Sequence, residues 1–291
     1  MCMKQCIIGL VGLTGLLGCD RVAEPESQER LGSASAAVTA SGLPEYRDTA
    51  DRSRLAIGPG AVSRTEFGYV KVVGTWATHA LNSANGLALG VAHAGAPTLA
   101  RPPFGASLGE HNDHVQSMFV AAGIPAAEIG SVVGGVSGVG GGSITETPDL
   151  SFANPTRRYS RLIRVANGIV IADSFAWAEI NEDDDVVQEG VYWPAIPQQV
   201  IDEATALQAT LETPGALGAF TATLPSGSGR VAIRHSSAYV AGSFEAYAVY
   251  DITMQTGMGH VETLHFNANG QEIRLPQERR TLPATAKPPQ P

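Results

Sequence analysis

No cysteine follows Cys19, so the body of the chain holds no disulfide and no buried thiol at risk of oxidation. The apolar run at 7–18 falls short of the ~20 residues that a bilayer-spanning helix needs. Three catalytic strings are also missing. Without His-Glu-x-x-His there is no zinc-protease helix, without Gly-x-Ser-x-Gly no nucleophile elbow, and without Gly-Lys-Ser or Gly-Lys-Thr no phosphate-binding loop. Positive charge is scarce as well, with 19 Lys and Arg against 28 Asp and Glu and a net charge of −9. The one dense basic group, Arg157, Arg158, Arg161 and Arg164, lies on a single strand-like segment and reads as a solvated strand face with neighbouring carboxylates. These features exclude a nucleic-acid partner, which would need clustered cations along its phosphates.

What is present is a chain of 291 residues, 44% hydrophobic and 16% charged, the composition of a globular protein with a substantial core. At about 100–200 residues per domain, two small domains fit that length. The first residues carry one positive charge, Lys4, then the apolar run, then small residues, as a secretory leader does. Leu16-Leu17-Gly18-Cys19 resembles the lipobox of bacterial lipoproteins. That resemblance implies cleavage after Gly18, a diacylglyceryl group on the sulfur of Cys19, and an acylated new amino terminus. The other two cysteines, Cys2 and Cys6, lie in the discarded leader. Two or three acyl chains, at about 0.8 kcal/mol per buried methylene, make such an anchor effectively permanent. The expected place is therefore the cell envelope, with the folded part in the periplasm or at the cell surface.

The pattern divides the chain into a signal peptide at 1–18, a flexible tether at 19–43, an N-terminal subdomain at 44–133, a glycine-rich linker at 134–156, a C-terminal subdomain at 157–276, and a disordered proline-rich tail at 277–291. The fold class expected is α+β, with antiparallel sheets each packed against one helix in two small subdomains. In the first, strands at 66–76 and 86–94 precede a helix in which Val115, Met118, Phe119 and Ala122 form one apolar stripe. Ser107 or Asn112 caps its start and Gly123 stops it. In the second, Asn167-Gly168 suits a two-residue hairpin turn between strands at 159–166 and 169–180, and a turn at 181–185 returns the chain along 186–193. A helix with Val200, Ala204, Leu207 and Leu211 on its buried side is expected to lie across that meander. Strands follow near 219–224, 230–235, 244–254, 260–266 and 272–275. The run Arg164 to Asp173, with the acidic turn and Val186-Val187 after it, resembles the hairpin of the FTP and PepSY propeptide domains of secreted metalloproteases. This resemblance implies a sheet cradling a helix and a stand-alone inhibitory or binding module.

Among side chains that carry chemistry, Glu110, His111, Asp113 and His114 gather at one helix start, where two histidines three apart can share a side. With His79 or His93 they form the candidate metal set of a hydrolase. The plainer reading is a polar helix start with acids at the positive dipole end. Asn181 to Asp185 alternates oxygen ligands but lacks the glycine and bidentate glutamate of a calcium loop, having Val186 and Tyr192 at those positions. His235 beside Ser236, and His260 with His265, read as structural strand histidines. Phe175, Trp177, Tyr192 and Trp193 cluster in the meander as core or as a binding platform. No cofactor is expected. The leading expectation is a non-catalytic envelope module, held to the bilayer through Cys19, with a protein, peptide or glycan partner; metal-dependent hydrolysis and a purely structural role are the alternatives.

Overall fold

A computed structural model describes residues 57–66, 69–82, 84–101, 107–138, 155–239, 243–256 and 260–279. The leader, Cys19, the tether, most of the glycine-rich linker and the tail from 280 lie outside the described residues. Four strands come first: β1 (Val62–Glu66), β2 (Tyr69–Val73), β3 (Ala77–Asn82) and β4 (Ala88–Ala92). Helices α1 (Pro97–Ala100) and α2 (Leu108–Ala121) follow, then a 3-10 turn at Ala126–Glu128 and the long pair β5 (Ile129–Gly138) and β6 (Pro155–Ala166). Next come β7 (Ile169–Ile171), β8 (Phe175–Ile180), β9 (Val186–Tyr192), α3 (Gln198–Leu211) and α4 (Ala216–Thr221). The chain closes with β10 (Ser228–His235), β11 (Ala246–Thr256), β12 (His260–Phe266), β13 (Glu272–Ile273) and α5 (Pro276–Arg279). Among the described residues no helix is long and apolar enough to cross a membrane.

The expected pair of small α+β sheets, each packed against one helix, is overturned. The described strands form one 13-stranded mixed sheet in the order β1-β2-β3-β4-β9-β8-β6-β7-β10-β11-β12-β13, with β5 on the other side of β6. All pairings are antiparallel except β7 with β10. The physical reason is a lateral row of small and branched side chains. Leu162, Ala176, Val191 and Ala88 sit opposite one another across β6, β8, β9 and β4, and all are buried. A meander with such an inner face cannot stop at its own edge. It pairs with β4 and shares a core with Val115, Phe119, Ala122 and Ile124 from the segment before it.

Helix α2 covers this core and follows the expected stripe, extended by one unexpected member, since His111 is buried with Val115 and Phe119. Ser107 begins it with a full capping box. Its hydroxyl accepts from the Glu110 N–H at 3.2 Å, and Glu110 Oε2 accepts from the Ser107 N–H at 2.7 Å. Replacing Ser107 by alanine is expected to lower stability by about 1 kcal/mol, read as a shift in a urea midpoint. Gly123, at φ 101°, stops the helix.

Helix α3 buries Val200, Ala204, Leu207 and Leu211 as the periodicity predicts, but against different strands. Val200 and Ala204 pack with Ile169, Ile171, Ile233 and Ala246, and Leu207 and Leu211 with Tyr250, Ile252 and Phe266. The helix thus lies over β7, β10 and β11, because α2 already occupies the meander. Segment 219–224, expected as a strand, instead begins inside α4 and continues as a turn, and Phe220 of α4 meets the ring of Tyr250 edge-on at 5.4 Å. The Asn167-Gly168 turn has φ of 50° and 79°, the positive values that a two-residue hairpin of this hand requires. The glycine-rich stretch begins inside β5, where Gly134 and Gly135 face Ser160 and Tyr159 of β6.

Candidate functional site

The structure takes the candidate metal set apart. His111 is fully buried, and the Ile180 N–H donates to its Nε2 at 3.4 Å, which leaves the ring proton on Nδ1 facing Ser160 Oγ at 2.5 Å. Ser160 in turn donates to Asn112 Oδ1 at 2.6 Å. Both ring nitrogens are thus engaged, and burial drives the ring's pKa down to about 4. Glu110 spends its carboxylate on the cap, and Ser107's hydrogen bonds hold its pKa below the usual value. His114 turns outward to Asp184 Oδ1 at 3.6 Å, His79 is buried on β3, and His93 meets Thr78 Oγ1 at 2.7 Å. Among the described residues no three His, Asp or Glu side chains converge as a metal site. The acidic turn closes on itself, with Asn181 Oδ1 accepting from the N–H groups of Asp183 and Asp185, both at 3.0 Å. Arg101 pairs with Asp183 at 3.1 Å.

Buried polar networks that sequence reasoning missed lie at the centre of the sheet. Arg164, only 4% exposed, donates to Glu128 Oε2 through Nε and Nη2 at 2.8 and 2.7 Å, and through Nη1 to Ser174 Oγ at 3.0 Å and the Pro194 carbonyl at 2.7 Å. Its guanidinium stacks on the ring of Trp193, 4.8 Å from the centroid, and the indole N–H donates to the same Glu128 oxygen at 2.8 Å. Ser174 Oγ lies 2.9 Å from Nε2 of His235, whose Nδ1–H donates to the Ser236 carbonyl at 2.9 Å. This is the contact of a nucleophile with its base. Both residues are buried, however, Arg164 also donates to the hydroxyl, and burial lowers the His235 pKa to about 4. The pair is structural.

A second network crosses β10, β11 and β12. Asp251 Oδ2 accepts from Nε and Nη2 of Arg234 at 3.0 and 2.8 Å, and Asp251 Oδ1 meets Nδ1 of His265 at 2.7 Å. His265 Nε2 reaches Glu278 of α5 at 3.1 Å. Burial is the largest single influence and opposes the imidazolium, but the hydrogen bond and charge of Asp251, with the charge of Glu278, together outweigh it and the pKa rises. Around the end of α5, Arg279 meets Glu245 at 3.1 Å and the hydroxyl of Tyr247 at 2.9 Å, so this short helix is clasped to the sheet.

The four meander aromatics do not share one surface. Trp193 belongs to the core under α2, and Tyr192 is buried with its hydroxyl donating to the Ser236 carbonyl at 3.1 Å. Phe175 and Trp177 are half-buried on the sheet face opposite α2. On that face the register builds two rows. Tyr159, Glu179, Gln188 and Val91 stand opposite one another across β6, β8, β9 and β4, as do Arg161, Trp177, Gly190 and Leu89. Two aromatic rings pack against neighbouring glycines. A methyl group at Gly190 would come within 2.5 Å of Trp177 Nε1, and one at Gly135 within 2.5 Å of Tyr159 Cε1. Only a residue without Cβ lets each ring approach the adjacent strand so closely.

Beside them Glu179 is 8% exposed, and burial pushes its pKa up to about 7 against the opposing pull of Arg157 and a Gln188 hydrogen bond. A carboxyl with a raised folded pKa favours the fold fully below its ordinary value of 4.5, and that contribution is lost as pH rises through about 7. Glu179→Gln is therefore expected to stabilise the protein by ~3 kcal/mol at pH 8, and by little at pH 4, in urea denaturation.

Comparison with protein-family models, with curated proteins and with solved structures yields no match.

Proposed function

We propose that this chain is a lipid-anchored envelope protein whose folded part is a non-catalytic binding module. The leader and Leu16-Leu17-Gly18-Cys19 support the anchor and a station in the periplasm or at the cell surface. The observation that carries the binding reading is the sheet face opposite α2, where Trp177 and Tyr159 rest on Gly190 and Gly135 with polar side chains between them. Hydrolysis at residues 110–114 finds no comparable support, since His111 is closed off by Ser160 and Ile180. The partner class stays as broad as protein, peptide or glycan.

Two measurements test this reading. Cells fed labelled palmitate should label the wild-type chain and leave Cys19→Ser unlabelled and released from membranes; an unlabelled wild-type product rejects the anchor. Purified full-length protein in detergent should retain an envelope component saturably, and Trp177→Ala should weaken retention while Leu217→Ala, on the exposed side of α4, should not. Equal loss in both variants, or no saturable component, rejects the binding face.

A further inference from the structure

We propose that Leu275 and α5 form a proton-controlled strap, closed over the face of β10 and β11 while His265 carries both ring protons and loosened when the outer proton leaves. This device is separate from the Trp177 face. Nδ1 of His265 lies 2.7 Å from Asp251 Oδ1, and Nε2 lies 3.1 Å from Glu278 Oε1. A carboxylate only accepts, so both ring nitrogens must donate, and the imidazolium alone has two N–H groups. The closed strap therefore requires a charged ring. The two carboxylates do not share the loss of a proton equally. Asp251 is 2% exposed and is also held by Arg234, whereas the Glu278 side chain is 38% exposed. The neutral ring keeps its remaining N–H on Nδ1, where the buried carboxylate has no water to turn to, and points the Nε2 lone pair at Glu278. The other groups facing this centre do not replace the lost donor. Asp173 lies beyond Arg234, Arg230 stands across from Asp251 but is exposed, and Ile273, the β13 partner of His265, is apolar.

The same carboxylate also fixes the residue that plugs the sheet. Glu278 Oε2 accepts from the Leu275 N–H at 2.8 Å, and Leu275, 2% exposed, packs on Ala232, Tyr247 and Val249. Further ties come from Gln277, whose Oε1 accepts from the Ser237 N–H at 3.2 Å, and from Arg279, which donates to Glu245 and to the Tyr247 hydroxyl. Burial and then Glu245 push the Tyr247 pKa up to about 12, so that hydroxyl keeps its proton across the range in which His265 titrates. One ionisation thus weakens one of the few attachments of a four-residue helix. Local opening of such a short segment needs far less free energy than global unfolding, and it bares the apolar patch of Ala232, Tyr247 and Val249.

The test is hydrogen exchange on full-length protein in detergent from about pH 5.5 to about pH 9, with rates corrected for the intrinsic pH dependence of exchange. The N–H groups of Leu275, Glu278 and Arg279, all bonded within the strap, report its opening, and those of α2 report global unfolding. A base whose closed-state pKa is raised withdraws its support as pH rises. Strap opening should therefore be constant below 6.5 and increase above it by about tenfold in all, with α2 amides far slower throughout. Glu278→Gln should flatten the increase, because a carboxamide still accepts from the Leu275 N–H and can donate to or accept from Nε2; the exposure of this side chain leaves folding intact. Gln277→Ala should raise opening at every pH and keep the increase. An increase of unchanged size in Glu278→Gln overturns the proposal, as does strap opening that ignores pH or strap amides that exchange only together with α2.

Discussion

Acidification from pH 7 to about pH 4 is expected to remove ~3 kcal/mol of folding stability from the wild-type protein and about twice that from Glu179→Gln. His111 and His235 are buried neutral, with pKa values lowered from 6.5 to about 4 by burial. A base whose folded pKa is depressed supports the fold above its unfolded pKa and withdraws that support as pH falls through the folded value. Each shift corresponds to ~3 kcal/mol. Glu179 acts in the opposite sense, because its carboxyl is protonated in the fold below about 7 and its burial becomes free of cost as acid is added. One of the two histidine contributions is thereby masked in the wild type. Asp251 and Glu110 have lowered pKa values and respond only below 3.8 and 4.5. His265 has a raised pKa, so its contribution is complete below 6.5 and fades only as pH rises. Urea denaturation across this range measures all of it. A wild-type stability that stays flat, together with an equally flat Glu179→Gln variant, would show that the two histidines are not closed off as described.

The second large effect is expected at Arg164. Its removal leaves the Ser174 hydroxyl, the Pro194 carbonyl and the Glu128 carboxylate without their common donor, and takes a flat cation off the Trp193 ring. Breaking one side of a buried ion pair typically costs 3–5 kcal/mol, so Arg164→Met should lower stability by about that amount and shift the emission of Trp193. Arg164→Lys should recover little, since one ammonium cannot reach the three acceptors arrayed around a planar fork. Glu128 is 33% exposed and can regain water. A cost below about 1 kcal/mol would mean that this rehydration suffices and that the hub is dispensable.

These two centres also mark where sequence reasoning reached and where it stopped. Local signals read well. Ser107 as one of two candidate caps, Asn167-Gly168, the α3 stripe and the strand at 260–266 all depend on neighbours in sequence, and each formed as the residues predict. Partner choice did not read. The inner row Leu162, Ala176, Val191 and Ala88 looks like any half-buried strand face until β4 is set beside β9, and that pairing has no local signature. The same holds for chemistry. His111 drew attention through its acidic and histidine neighbours, yet its partners Ser160 and Ile180 come from distant strands. Arg164 looked like one of four surface arginines, although strand alternation with Arg158, Leu162 and Ala166 on its side of β6 offered one clue to its inward direction. Trp177 was visible as an aromatic, but its resting place on Gly190 was not.

The pairing of β4 with β9 has a cost in time. A chain made from its amino terminus releases β1 to β4 from the ribosome well before the strand that completes them, so the young half must wait with an unsatisfied edge and only α2 to shield its apolar side. A polypeptide halted short of Val186 is accordingly a client for holding chaperones, and rapid synthesis or crowded overexpression would favour clumping over maturation.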